Sequence, residues 1–450
     1  MTTLNTPLRA SPPPAPAVVD EGAPGLPEAL LVDLVLRHLL RTGDMLLIDL
    51  SRRMGLSRLR MDALLKHVRA LNYVKVSRCG DLEGDVSYVL TDLGRTHARV
   101  AVEKCQYVGP APVTLDEYVG MVQRQSAALQ ATTAQQLKAA MGDLVLDEEL
   151  LANLGSALNS GKAIYLHGPS GSGKTYLAEH MVKTLRGQIW IPHAIQVDGE
   201  IIQVFDQRIH RVVKPPVVER RSLSRNAAMD DRWILTERPI VMTGGELTLR
   251  MLELEFDDVS RIYVAPPQMK ANNGIFVVDD LGRQRISPHE LLNRWIVPLD
   301  RHVDYLGLHT GAKFQIPFDV TVIFSSNLTP DELTDPAFAR RLGYKIPIQA
   351  LSKQAYREVI AQACERVGAE FDQRSIDHLV EHLHPSCQRD YLPCVPFDVI
   401  SKIRDRARYL GQELHLTPEL IEWAWHMYFG PGDTAGMHAV RSPETEKERK

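Results

Sequence analysis

The octapeptide Gly168-Pro169-Ser170-Gly171-Ser172-Gly173-Lys174-Thr175 limits what this chain can fold into more than any other stretch. It fills every slot of the phosphate-binding loop G-x-x-x-x-G-K-[ST]. Such a loop works between a strand and a helix, because backbone amides at the helix N-terminus converge on phosphate oxygens. The flanks supply both elements: an apolar run, Ala163 to Leu166, leads in, and "YLAEHM" leads out as a helix. The glycines let the main chain approach its ligand closely. Residues 168–175 are therefore the expected nucleotide-binding set. Lys174 is expected to reach the β- and γ-phosphates of ATP, and the Thr175 hydroxyl to bind Mg²⁺.

Two further strand ends belong to the same chemistry. "GIFVVDDLGRQ" sets four apolar residues, Ile275 to Val278, before Asp279 and Asp280. An apolar run ending in an acid reads as a buried parallel strand. Ligands bind at the carboxyl ends of such strands. Asp279 is expected to hold Mg²⁺ and Asp280 to orient the attacking water. The alternative, two acids opening a surface loop, fits either residue alone better than it fits the pair beside a phosphate loop. "VTVIFSSN" ends on Asn327, where a γ-phosphate would lie, and "DPAFARRLGYKIPI" follows.

With these residues the chain resembles the AAA+ ATPases. The resemblance implies a P-loop α/β fold with a parallel sheet and a helical lid, and subunits arranged as a homo-oligomeric ring. Asn327 matches the strand-end polar residue that senses the γ-phosphate. Arg340 and Arg341 match the paired arginines, one of which acts in trans as an arginine finger on the neighbouring subunit. "YVGPAPVTLDEYV", "GGELTLRMLEL", "DDLGRQ" and "LLNRWIVPLDRHVDYL" are similar to segments of bacterial ATPases with predicted chaperone activity associated with Flp (tight-adherence) pilus assembly. That narrower resemblance covers roughly residues 27 to 430 and implies a winged-helix plus AAA+ layout; the expected work is remodelling or assembling a protein partner. Two positions depart from the pattern. Asp280 stands where glutamate is common, and Phe397 stands where a lid arginine is common, leaving Arg389 or Arg404 as substitutes.

Around this core, "ASPPPAPAVVDEGAPGLPE" reads as a disordered leader (1–26). Residues 27–106 read as helix-turn-helix, broken at Gly55-Leu56-Ser57 with Ser57 as N-cap, followed by the ribbon "YVKVSR"/"VSYVLT". That is a winged-helix domain. Arg41 to Asp85 holds nine Lys/Arg against six Asp/Glu. Arg58, Arg60, Lys66 and Arg69 on the second helix point to DNA as a partner, or else to a solvated or protein-docking face.

A connector (107–142), an AAA+ nucleotide-binding core (143–350), a four-helix lid (351–430) and a disordered tail (431–450) complete the chain. A βαβ unit needs roughly 30 residues, and about 100 separate Lys174 from Asp279, so the core carries an insertion. "QIWIPHAIQVDGEIIQVFD" reads as a strand and a hairpin. The cationic stretch after it (Arg208, Arg211, Lys214, Arg220, Arg221, Arg225) reads as a loop that faces a ring pore, touches an acidic partner or is simply solvated, and "DYLGLHTGAKFQIPF" reads as a second inserted hairpin, also a pore-loop candidate. The spacing of His382, His384, Cys387 and Cys394 matches no common zinc pattern.

Composition excludes several classes. With 44% apolar and 24% charged residues and a net charge of −4, the chain is neither a basic nucleic-acid coat nor a disordered polyanion. Five scattered cysteines make no disulfide framework, which suits a reducing, cytoplasmic compartment. No apolar run approaches the length of about 18 needed for insertion into a membrane.

Overall fold

The computed structural model describes residues 16, 25–79, 86–126, 131–185, 187–213, 230–333 and 336–430. The leader apart from residues 16 and 25–26, the tail, and Lys214, Arg220, Arg221 and Arg225 of the cationic stretch lie outside the described residues. Five strands carry the phosphate loop: β1 (Ala163–His167), β2 (Ile240–Thr243), β3 (Ile275–Val278), β4 (Thr321–Ser326) and β5 (Leu342–Pro347). They pair in the order β2-β3-β4-β1-β5, every pair parallel.

Parallel strands need crossovers and have both faces covered, and the side chains divide accordingly. Ile164, Leu166, Ile275, Val277 and Ile323 pack on one face, while Tyr165, Phe276, Val278 and Phe324 pack on the other, where Trp295 joins them. This two-sided burial is why the strands read as unbroken apolar runs. The fold is the α/β parallel-sheet core expected from the sequence, with the phosphate loop following its strand β1. The carboxyl ends of β1, β3 and β4 come together, and each chemistry-bearing segment leaves from one of them.

The N-terminal segment folds about its own core, from Leu26 to Ala111. The helices Leu47–Met54 and Arg58–Ala70 flank the predicted break. Gly55 turns the chain at φ 62°, and Ser57 caps the second helix by accepting from the Arg60 amide at 3.2 Å. The ribbon Val74–Cys79/Val86–Leu90 is antiparallel, with Met45–Leu46 on its other side, and a closing helix spans Asp92–Lys104. A side chain at Gly55 would collide with the Arg232 backbone 2.9 Å away, so the turn is seated on the rest of the molecule.

The stretch expected to be a connector does more than connect. Val113–Thr114 pairs in parallel with Ala194–Val197 and so closes a second five-stranded sheet. That sheet includes the predicted hairpin Ala194–Val197/Glu200–Gln203 and also Ile262–Val264 and Glu255–Asp257. Buried Arg232, just before the separate antiparallel ribbon Gln188–Pro192/Trp233–Glu237, pairs with Asp230 at 2.7 Å and with Glu117 of the connector at 2.8 Å. The second predicted hairpin is Val303–Gly307/Lys313–Pro317.

The C-terminal helices Lys353–Val367, Gln373–Asp377 (continued by a π-helical turn, His378–Leu383), Cys394–Leu410 and Pro418–Phe429 pack around Tyr356, Leu379, Ile400 and Trp425. No helix among the described residues is long and apolar enough to cross a membrane.

Buried imidazoles make stability depend on pH. Burial pushes His193 down to about 4, and it lowers His38, His210 and His384 as well. The groups facing them do not reverse this. Arg37, Arg41 and Arg53 depress His38 further, while Asp206 opposes Lys270 at His210. Each ring takes up a proton more readily unfolded, near pH 6.5, than folded. The stability it contributes is complete above pH 6.5 and is lost as pH falls towards the ring's folded-state pKa, about 4 for His193, at up to about 1.4 kcal/mol per pH unit for each ring. Urea midpoints should therefore drop between pH 7 and pH 5. Equal midpoints at both would contradict the burial of neutral rings.

Candidate functional site

β1 delivers the chain into the phosphate loop, and the loop's shape depends on its glycines. Gly171 and Gly173 have φ of 83° and 90°, in the left-handed region that costs other residues strain. A Cβ on Gly168 would lie 2.1 Å from the Ile348 carbonyl oxygen. The helix Lys174–Val182 begins at once, so its free amides face the loop's concavity.

The Lys174 ammonium is buried and donates to the carbonyl oxygens of Gly168 (3.0 Å) and Pro169 (2.9 Å) and to Asn327 Oδ1 (2.9 Å). Burial lowers its pKa, while the carboxylates of Asp280 and Asp279 pull it back up. Asp279, Asp280 and Asn327, read from two other stretches of sequence, therefore act on one amine.

The second cluster lies where β1, β3 and β4 end. Thr175 Oγ1 donates to Asp279 Oδ2 at 2.8 Å, and Ser325 Oγ donates to Asp279 Oδ1 at 2.5 Å. Asp280 follows with φ 50° and lines the same cleft as Lys174 and Asn327. The Tyr165 hydroxyl fixes the turn after Asn327 by donating to the Leu328 carbonyl at 2.7 Å.

The cleft has a volume of about 1870 Å³ and runs from the phosphate loop to the C-terminal helices. The helix beginning at Cys394 overhangs the loop: Cys394 Sγ lies 2.5 Å from where a Cβ on Gly171 would stand. Phe397 lines the cleft from this helix. The expected substitute cations lie elsewhere. Arg389 stacks on Phe429 at 4.7 Å, and Arg404 pairs with Asp405 at 2.8 Å. Arg366, whose guanidinium lies 5.7 Å from the Phe397 ring centroid, also lines the cleft.

Arg340 and Arg341 do not line it. Arg340 is exposed in the turn before β5, and Arg341 pairs with Asp300 at 2.8 Å.

The residues fit a nucleotide with Mg²⁺. Ser172 Oγ in the loop is buried with no hydrogen-bond partner among the described residues. Asp279, Thr175 and Ser325 gather hard oxygen donors around one carboxylate, the donor type Mg²⁺ takes when it keeps several waters. Sequence reasoning missed Ser325, Gln284 and Arg366. For Ser325 the signal was there: two hydroxyl residues, Ser325 and Ser326, follow the apolar run Val322–Phe324 in a fully buried strand.

A protein family described as a domain of unknown function (DUF8689) matches residues 352–427. No curated protein matches the chain. Among solved structures, the chain is similar to the Thermotoga maritima RuvB Holliday junction branch migration motor at 14% identity, with 63% of this chain and 69% of that chain covered and a TM-score of 0.36. NtrX from Brucella abortus is similar at 13% identity, with 66% and 56% covered and a TM-score of 0.39. Domain III of the Thermotoga maritima replication initiation protein DnaA is similar at 11% identity, with 65% and 98% covered and a TM-score of 0.36.

Proposed function

We propose that this chain is an ATP hydrolase of the AAA+ type whose turnover remodels or assembles a protein partner, with pilus assembly as the setting its sequence resemblance implies. One observation carries the proposal: the hydrogen-bonded pairs Lys174–Asn327 and Thr175–Asp279 come from three strand ends, and Lys174, Thr175 and Asn327 line one cleft together with Asp280. In this reading the loop amides and Lys174 bind the phosphates, and Thr175 with Asp279 holds Mg²⁺. Bound Mg²⁺ supplies charge neutralisation at the phosphate oxygens. Asp280 orients the attacking water, and Asn327 fixes both Lys174 and the γ-phosphate end of the cleft. Arg340 or Arg341 completes the site of a neighbouring subunit in a ring.

The test is steady-state phosphate release by the full chain with ATP and Mg²⁺. Release should stop when Mg²⁺ is chelated and in Asp279→Asn. Tight ATP binding without release would favour a nucleotide-dependent switch instead, the outcome that the shorter Asp280 side chain and Phe397 would explain. An Asp280→Asn protein held with ATP should retain the protein partner.

Exposed Arg58, Lys66 and Arg69 on the helix Arg58–Ala70 support DNA as a second partner, although Asp62 pairs with Lys66 at 2.7 Å. DNA affinity that falls steeply with salt would support that second reading. Its absence at low salt would remove it.

A further inference from the structure

Asp280 stands in a conformation that a non-glycine residue seldom adopts, at φ 50°, and its carboxylate makes no hydrogen bond among the described residues. Its neighbours, by contrast, are all held. The Leu281 amide donates to the Ser325 carbonyl at 2.7 Å, and Ser326 Oγ donates to the Leu281 carbonyl at 2.6 Å. The Arg283 amide closes the turn on the Asp280 carbonyl at 2.9 Å.

One side chain spans the whole turn. Gln284, only 9% exposed, directs Nε2 at the carbonyl oxygens of Asp279 (3.1 Å), Asp280 (3.3 Å) and Gly244 (3.4 Å). Its Oε1 accepts from the Gly282 amide at 2.8 Å.

From this geometry we infer that Gln284 is a positioning residue. It locks the Asp279–Gly282 turn in its left-handed form, aims the free Asp280 carboxylate into the nucleotide cleft, and ties that turn to the loop after β2 through Gly244. The inference rests on the ATPase reading above.

The chemistry of the side chain fits this role. Reaching carbonyls and an amide at once takes a group with both donors and an acceptor. A neutral amide does so without a charge that would compete for Lys174 or Mg²⁺. Glutamate would turn a carboxylate towards three carbonyl oxygens. Methionine would fill the space and bond nothing. Backbone strain at a reacting residue persists only where its surroundings over-determine it, and these contacts are what over-determine Asp280.

The experiment compares Gln284→Met and Gln284→Glu with the unaltered chain, alone and combined with Asp280→Asn. The readouts are the Kd for ATP, the single-turnover hydrolysis rate and the melting temperature. Both Gln284 variants should keep the ATP Kd within about twofold and lose on the order of 10²-fold in rate, the loss typical of a reacting group displaced by about 1 Å. In the Asp280→Asn background the same changes should cost little more, because the two residues act as one unit.

A rate unaltered in Gln284→Met, or a loss that multiplies fully with that of Asp280→Asn, would overturn the inference and leave the ATPase reading standing. A loss explained by weaker ATP binding or by partial unfolding would do the same. An unaltered chain that releases no phosphate would overturn both.

Discussion

Lys174→Ala should weaken ATP binding by about 10²-fold, measured by titration of a fluorescent ATP analogue. The amine is buried beside the phosphate loop and its charge has two carboxylates near it, Asp279 and Asp280. With the amine gone, the loop amides face the β- and γ-phosphates without a balancing cation, while both carboxylates remain. A hydrogen bond to a charged group contributes about 1.5–3 kcal/mol, and about 1.4 kcal/mol is a factor of ten in Kd. The upper end of that range applies because the amine is buried.

The substitution also frees Asn327 and strips a donor from the Gly168 and Pro169 carbonyls, so the loop loses preorganisation as well as charge. Lys174→Arg keeps the charge but cannot place a planar guanidinium on the same three oxygens. It should bind better than alanine and worse than lysine. Unchanged affinity in Lys174→Ala would remove the nucleotide reading at its root.

The parts of this molecule that were legible in the sequence are those whose physics is local. The phosphate loop is one contiguous octapeptide, and its glycines are needed by backbone angles within that octapeptide. β3 announced itself because burial on both faces leaves no polar alternation, and its two acids mark where the strand meets solvent. The hairpins at Ala194–Gln203 and Val303–Pro317 are also local, each made by two strands joined by a short turn.

The second sheet was not legible as a sheet. Its strands are two to four residues long and come from near positions 113, 195, 201, 256 and 263. Pairing over such separations leaves no periodicity to read. Val113–Thr114 looked like connector for the same reason. Gln284 and Arg366 lacked any signal because their roles depend on what folds against them: three carbonyls in one case, and the face of Phe397 in the other. Asn327 was placed correctly at a strand end, but only the fold brings it onto Lys174.

The largest effect on turnover should come from a residue outside the cleft. Arg340→Ala is expected to leave ATP affinity within about twofold and to lower hydrolysis by about 10³- to 10⁵-fold, the range an arginine finger contributes. Arg340 fits the trans role better than its neighbour. It is exposed, whereas Arg341 is drawn onto Asp300 at 2.8 Å from the helix Pro288–Arg301 and would have to leave that pair to reach a phosphate. Arg341→Ala should accordingly cost less in rate than Arg340→Ala and more in melting temperature.

A trans finger also means that no single subunit owns a whole site. Specific activity should rise with protein concentration as subunits associate. A mixture of Arg340→Ala and Lys174→Ala subunits should regain activity, because some interfaces then join an intact phosphate loop to an intact arginine. Turnover per subunit that stays flat on dilution to a demonstrated monomer, together with no recovery in any mixture, would rule out both the trans finger and the ring. Recovery with Arg341→Ala in the mixture but not with Arg340→Ala would transfer the role to Arg341 and mean that the Asp300 pair breaks on assembly.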